Sequence, residues 1–141
     1  PERFGVDLAE MVRLTADVMA RGDLDYVDLS LWDVDKLPAG AEDGPLLIDH
    51  FLTLPRHGTA LGVAGHLVSA AGVRSVLAKG ADLAFVGKAA IVDHEFARHA
   101  LTDASYVAPE FPVSKDHLRA QHLGEPFVDY FSTNWPALVE A

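Results

Sequence analysis

Two apolar runs in this chain end the same way. Val63-Ala64-Gly65-His66 and Phe85-Val86-Gly87-Lys88 each close on a glycine followed by His or Lys, and residues that can start a helix come next. In parallel α/β folds, ligands bind beyond the carboxyl ends of the strands. A glycine there lets a phosphate approach the backbone, and an adjacent helix start supplies N–H groups. The spacing leaves two readings open: a phosphate corner made by Gly65, His66, Gly87 and Lys88, or two tight strand-to-helix turns.

The segments around these runs alternate between helix and strand patterns. Asp7 stands as N-cap with Glu10 three residues on, and Leu8, Met11, Val12, Thr15, Val18 and Met19 recur at helical spacing up to a stop at Gly22. From Asp25 to Trp32, Val27, Leu29 and Leu31 alternate with Tyr26, Asp28 and Ser30, which predicts a strand. Asp33–Gly44, with Pro38 and Gly40, reads as a long loop, and Pro45 is expected to open a second helix running to Leu52. A strand over Ala60–Ala64 comes next, then a helix capped by Ser69 and stopped at Gly80, then a strand over Ala81–Val86. A short helical turn is expected at Ala89–Ile91, and Asp93 as the cap of a helix from His94 to about Leu101. Beyond a loop with Pro109 and Pro112, helical patterns recur over 114–122 and 126–135.

Strict alternation of helix and strand predicts an α/β fold with a parallel sheet and helical crossovers. A whole (β/α)8 barrel takes about 250 residues. At 141 residues this chain has material for somewhat over half of one. The expected architecture is therefore the C-terminal half of a (β/α)8 TIM barrel over residues 1–101, with a loop and helical tail of the same domain over 102–141.

Composition narrows the function classes. The formal charge of −10 offers no basic patch to neutralise phosphates, which disfavours nucleic acid and anionic membranes as partners. The absence of cysteine removes disulfides, thiolate metal sites and a cysteine nucleophile. Pro1–Gly5 is unlike a signal peptide and no apolar run is long enough to span a bilayer, so a cytoplasmic location is expected.

Pro1-Glu-Arg-Phe-Gly5, the helix ending at Gly22, Asp25–Ser30, Val63–Gly65 and Gly80-Ala-Asp-Leu-Ala-Phe-Val-Gly-Lys88 resemble, in this order, the second half of the Old Yellow Enzyme family of NADH:flavin oxidoreductases. The resemblance covers roughly residues 1–101 and is strongest over Gly80–Ala90, the family's eighth strand and flavin phosphate loop. It implies that Gly65, His66 and Gly87 give backbone N–H groups to the phosphate of FMN, with Lys88 standing where the family usually has arginine. Lysine keeps the charge but lacks the planar fork. His66 is a second departure, since glycine is common there. The family's paired His/Asn or His/His residues, its tyrosine proton donor and its flavin-side arginine would all precede Pro1. No catalytic residue is therefore assigned, and the chain alone is expected to lack turnover.

The function implied is that of an FMN-dependent oxidoreductase using NAD(P)H and a small electrophilic substrate, with this chain supplying its flavin-phosphate half. Two alternatives stand beside it: a non-catalytic phosphate-binding or self-assembling half-barrel, and half of another phosphate-binding barrel such as a sugar-phosphate isomerase. A half-barrel is expected to be a homo-oligomer or to stay with its missing N-terminal half. Other residues carry less. His94 and His99 are five apart and do not share the face that metal-binding helices use, so no metal is expected. Trp32 either faces a ligand or packs under the Asp33–Gly44 loop, and Phe127, Phe131 and Trp135 mark a docked helix.

Overall fold

The structure, a computed structural model, describes residues 7–140; the Pro1–Gly5 stretch lies outside them. Three strands form one parallel sheet in the order β1-β2-β3: β1 (Tyr26–Ser30), β2 (Ala60–Ala64) and β3 (Leu83–Phe85). Seven α-helices are present among the described residues: α1 (Leu8–Ala20), α2 (Asp49–Leu52), α3 (Ala70–Ala78), α4 (Lys88–Val92), α5 (Phe96–Thr102), α6 (Lys115–Ala120) and α7 (Glu125–Asn134). A 3-10 turn lies at Pro136–Leu138. The class is α/β, with a small parallel sheet. None of the described helices is long and apolar enough to cross a membrane.

The chain divides into two compact units. One holds the described residues through Leu67 together with Val73–Phe85; the other holds Val68–Gly72 together with the described residues from Val86 onward.

In the first unit, local chemistry sets the helix limits. Asp7 Oδ1 accepts the Glu10 N–H at 2.7 Å and starts α1, which ends at Gly22 with φ +66°. The α3 helix stops at Gly80, φ +109°. The sheet register pairs Val27 with Leu61 and Leu29 with Val63. These residues share one face, and Leu29, Leu61 and Val63 are buried with Met19, Ile48, Phe51 and Val76 in the unit's core. The other face carries Tyr26, Asp28 and Ser30 from β1, Ala60, Gly62 and Ala64 from β2, and Leu83 and Phe85 from β3. Tyr26, Asp28, Ser30 and Leu83 on it are exposed. Leu61 and Val63 point to the opposite, buried face.

The N-terminal edge of β3 is pinned to β2 and to the loop before it. Asp82 N–H donates to the Leu61 carbonyl at 2.8 Å, and Asp82 Oδ2 accepts the Leu61 N–H at 2.8 Å. Arg56 donates to the Gly80 carbonyl at 2.8 Å and lies 3.5 Å from the same Asp82 oxygen. The helix expected from Pro45 is shorter than its pattern and covers only Asp49–Leu52. Its first turn is lost because the Leu46 N–H donates to the Asp49 carboxylate at 2.9 Å and the Leu47 N–H to the Lys36 carbonyl at 2.8 Å.

In the second unit, Ser69 Oγ accepts the Gly72 N–H at 3.0 Å, the cap expected for α3. Ser69 also bridges Val107 in antiparallel fashion. Helix α4 packs against α5 and α6, and α6 against α7. Ser114 caps α6 through the His117 N–H. Phe131 is buried on α7, with the Phe111 and Phe127 rings 5.9 and 5.7 Å from it. Trp135, at the end of the aromatic series, is about half exposed.

Candidate functional site

Gly65 directly follows Ala64 at the carboxyl end of β2. A Cβ built on it would lie 2.4 Å from the Leu31 carbonyl oxygen and 3.1 Å from the Val34 nitrogen. Val34 N–H also donates to the Gly65 carbonyl at 3.3 Å. The chain leaving β1 thus occupies the space a side chain would need, and this packing alone requires glycine. His66 comes next with φ +51°, in the left-handed region that glycine occupies most easily.

Gly87 and Lys88 belong to the second unit. Gly87 precedes α4, and no heavy atom lies within 4 Å of the position a Cβ would take. Its environment contrasts with that of Gly65: no described neighbour demands glycine there, and the position faces open space. Lys88 opens α4, is exposed and makes no salt bridge to a described residue. The backbone N–H groups of His66, Gly87 and Lys88 donate to no described residue. Unpaired N–H groups of this kind are the donors an oxyanion uses. The strands that lead to these two pairs are parallel neighbours, with Ala64 in register with Phe85, so both leave the sheet at the same end.

Trp32, in the segment that runs from β1 past Gly65, is 87% exposed. That rules out the packing role under the long loop. The buried neighbours Leu31 and Val34 carry that role instead.

A second constellation has no counterpart in the sequence motifs. Asp93 is the one buried carboxylate among the described residues. Its Oδ2 receives the Tyr106 hydroxyl and lies 2.6 Å from His99 Nδ1, while Oδ1 accepts the Glu95 N–H at 3.0 Å. The Tyr106 ring stands edge-on to buried Phe96 at 5.7 Å. Burial pushes the Asp93 carboxyl up, but the hydrogen bonds from Tyr106 and His99 outweigh it and leave the group below its ordinary 3.8. Burial and the Asp93 carboxylate together push the Tyr106 phenol well above its ordinary 10.0. The carboxylate fixes His99 with Nδ1 protonated. The expected role of Asp93 as the cap of a helix from His94 is thereby altered: its side chain serves His99 and Tyr106, and α5 begins later, at Phe96.

Among the described residues, no three His, Cys, Asp or Glu side chains converge as a metal-binding group. No protein-family profile matches the chain, nor does any curated protein sequence or solved structure.

Proposed function

We propose that this chain is the flavin-phosphate half of an FMN-dependent oxidoreductase of the Old Yellow Enzyme type. In this reading the chain is the C-terminal half of a (β/α)8 barrel. The phosphate of FMN is taken by the backbone N–H groups of Gly65, His66 and Gly87, with Lys88 as countercharge. The observation that carries the proposal is the set of unpaired backbone N–H groups at His66, Gly87 and Lys88, in segments that follow two neighbouring parallel strands. The open surroundings of Gly87 and the exposed Lys88 fit a phosphate. Gly65 is required by packing, so the glycine there does not by itself speak for a phosphate. Bound FMN would accept hydride from NAD(P)H and pass it to a small electrophilic substrate. This chain's share is to bind and orient the phosphate end; its own residues carry no assigned step of the chemistry.

The test compares FMN with riboflavin by equilibrium dialysis on the purified chain. Retention of FMN but not riboflavin, weakened by Lys88→Ala, is the expected result, since the phosphate carries the interaction. Equal binding of both, or no effect at Lys88, overturns the assignment. With reduced nicotinamide, FMN and a simple enone, the chain alone is expected to show no turnover, because the ring end of the flavin lacks the groups that fix reactant geometry.

A second reading, a self-assembling half-barrel without catalysis, draws on the sheet. Parallel sheets are ordinarily covered on both faces. The face of Tyr26, Asp28, Ser30 and Leu83 is exposed here. A folded, colourless oligomer that refuses FMN favours this reading.

A further inference from the structure

We propose that His94 and His122, held by Gln121, form a two-histidine site for a divalent transition-metal ion of the copper, nickel or zinc type. Gln121 Oε1 accepts both the His94 backbone N–H and the His94 ring at Nδ1, each at 2.9 Å. An amide oxygen only accepts, so Nδ1 carries the ring proton and Nε2 presents a bare lone pair. That is the preparation a metal-ligating imidazole receives from its supporting shell: the other ring nitrogen donates to an oxygen, which fixes tautomer and orientation. The His122 ring lies edge-to-face with His94, centroids 4.9 Å apart.

The backbone of His122 is also held in a distinct conformation. It lies just past α6 with φ +62°, in the left-handed region that glycine occupies most easily and that histidine and asparagine adopt more often than most side chains. Residues held in such conformations cluster at functional sites. Both histidines are exposed, so the His122 ring is free to turn until one of its nitrogens meets the ion beside His94 Nε2, and water completes the coordination. The neighbouring histidines do not compete. His117 Nε2 bonds the Val92 carbonyl at 2.7 Å, and His99 has both ring nitrogens engaged, Nδ1 with Asp93 and Nε2 with the Arg98 guanidinium at 3.4 Å. The chain's net charge of −10 favours a cation in general, and imidazole selects copper, nickel and zinc from among the cations.

Titration of the full chain with Zn²⁺ and Cu²⁺ against a chromophoric competitor tests the site. One ion per chain is expected, copper tighter than zinc in the usual order. His94→Asn and His122→Asn should each weaken zinc binding by at least about tenfold, and Gln121→Leu by about 10–100-fold through loss of its support. His122→Asn keeps a residue that tolerates the left-handed backbone, so its effect is not one of misfolding. His57→Asn, at another left-handed histidine with φ +52°, should leave binding unchanged. In the unaltered protein, zinc should shift the imidazole proton resonances of His94 and His122 ahead of those of the other histidines. Failure to bind one ion per chain, unchanged affinity in the His94→Asn/His122→Asn double variant, or first shifts at other histidines would overturn the proposal.

Discussion

A methyl group added at Gly62 and one added at Gly65 meet different obstacles, although only two residues separate them. At Gly62 the obstacle is the Phe85 ring, 2.1 Å from the built Cβ, which can swing toward the exposed face of the sheet. At Gly65 it is the Leu31 backbone, which cannot move without disturbing the chain leaving β1. Gly62→Ala should cost about 1 kcal/mol and Gly65→Ala about 3 kcal/mol, the two ends of the usual overpacking range. Urea midpoints at constant slope would show the order, and equal losses would contradict it. The Asp93–Tyr106 bond is read by pH. The Tyr106 phenol is harder to ionise in the fold than in the unfolded chain, where it titrates near 10.0. Its contribution is therefore fully present below pH 10 and lost as pH climbs through the raised folded value. Asp93 has the opposite sign: its contribution is present above pH 3.8 and lost as pH falls through the lowered folded value. Tyr106→Phe should cost about 1–3 kcal/mol near neutral pH, the range for leaving a buried acceptor short of a partner. The variant should also lack the wild type's added fall in stability above pH 10, seen in urea melts across pH.

At the level of elements, Asp82 shows how a strand end is secured. Asp82→Ala strands the Leu61 N–H and should cost about 2 kcal/mol, with hydrogen exchange at Leu61 accelerated. The Gly80-Ala81-Asp82 stretch thus has a structural explanation. A phosphate would draw instead on Gly87 and Lys88, past the end of β3. The three strands were legible because a period of two in β1 and a closing glycine after β2 and β3 are local signals; which alternating set is buried was not, because that depends on the helices packed against the sheet. The stops at Gly22 and Gly80 and the cap at Ser69 were legible for the same reason: each acts within a few residues. The first turn of α2 was not, because the bond that removes it comes from the distant Lys36 carbonyl. Nor was the Asp93 cluster, since no spacing rule links Asp93 to Tyr106 thirteen residues on. At the candidate phosphate site, the glycines were visible as glycines. The packing reason behind Gly65 lies in the return of the chain from β1, a contact between segments far apart in sequence.

For the whole molecule, the exposed sheet face carries an expectation about association. Leu83 is 39% exposed and Tyr26 52% exposed on a face that parallel sheets normally cover. Light scattering should report a dimer or larger species. Leu83→Asp should shift that population toward monomer while leaving the urea midpoint nearly unchanged, because an exposed leucine contributes little to the fold. A monodisperse monomer in the unaltered protein would mean that this face needs no cover. The middle position of β2 leads somewhere else again. Its partners lie on both sides, and they come from segments well before and well after it in the chain. A ribosome releasing this polypeptide therefore cannot complete β2 when Ala64 emerges; the strand stays half-zipped until Phe85 is free. Until that moment Leu61 and Val63 are open to chaperones and proteases, and a pause in translation between these two points would lengthen that exposure.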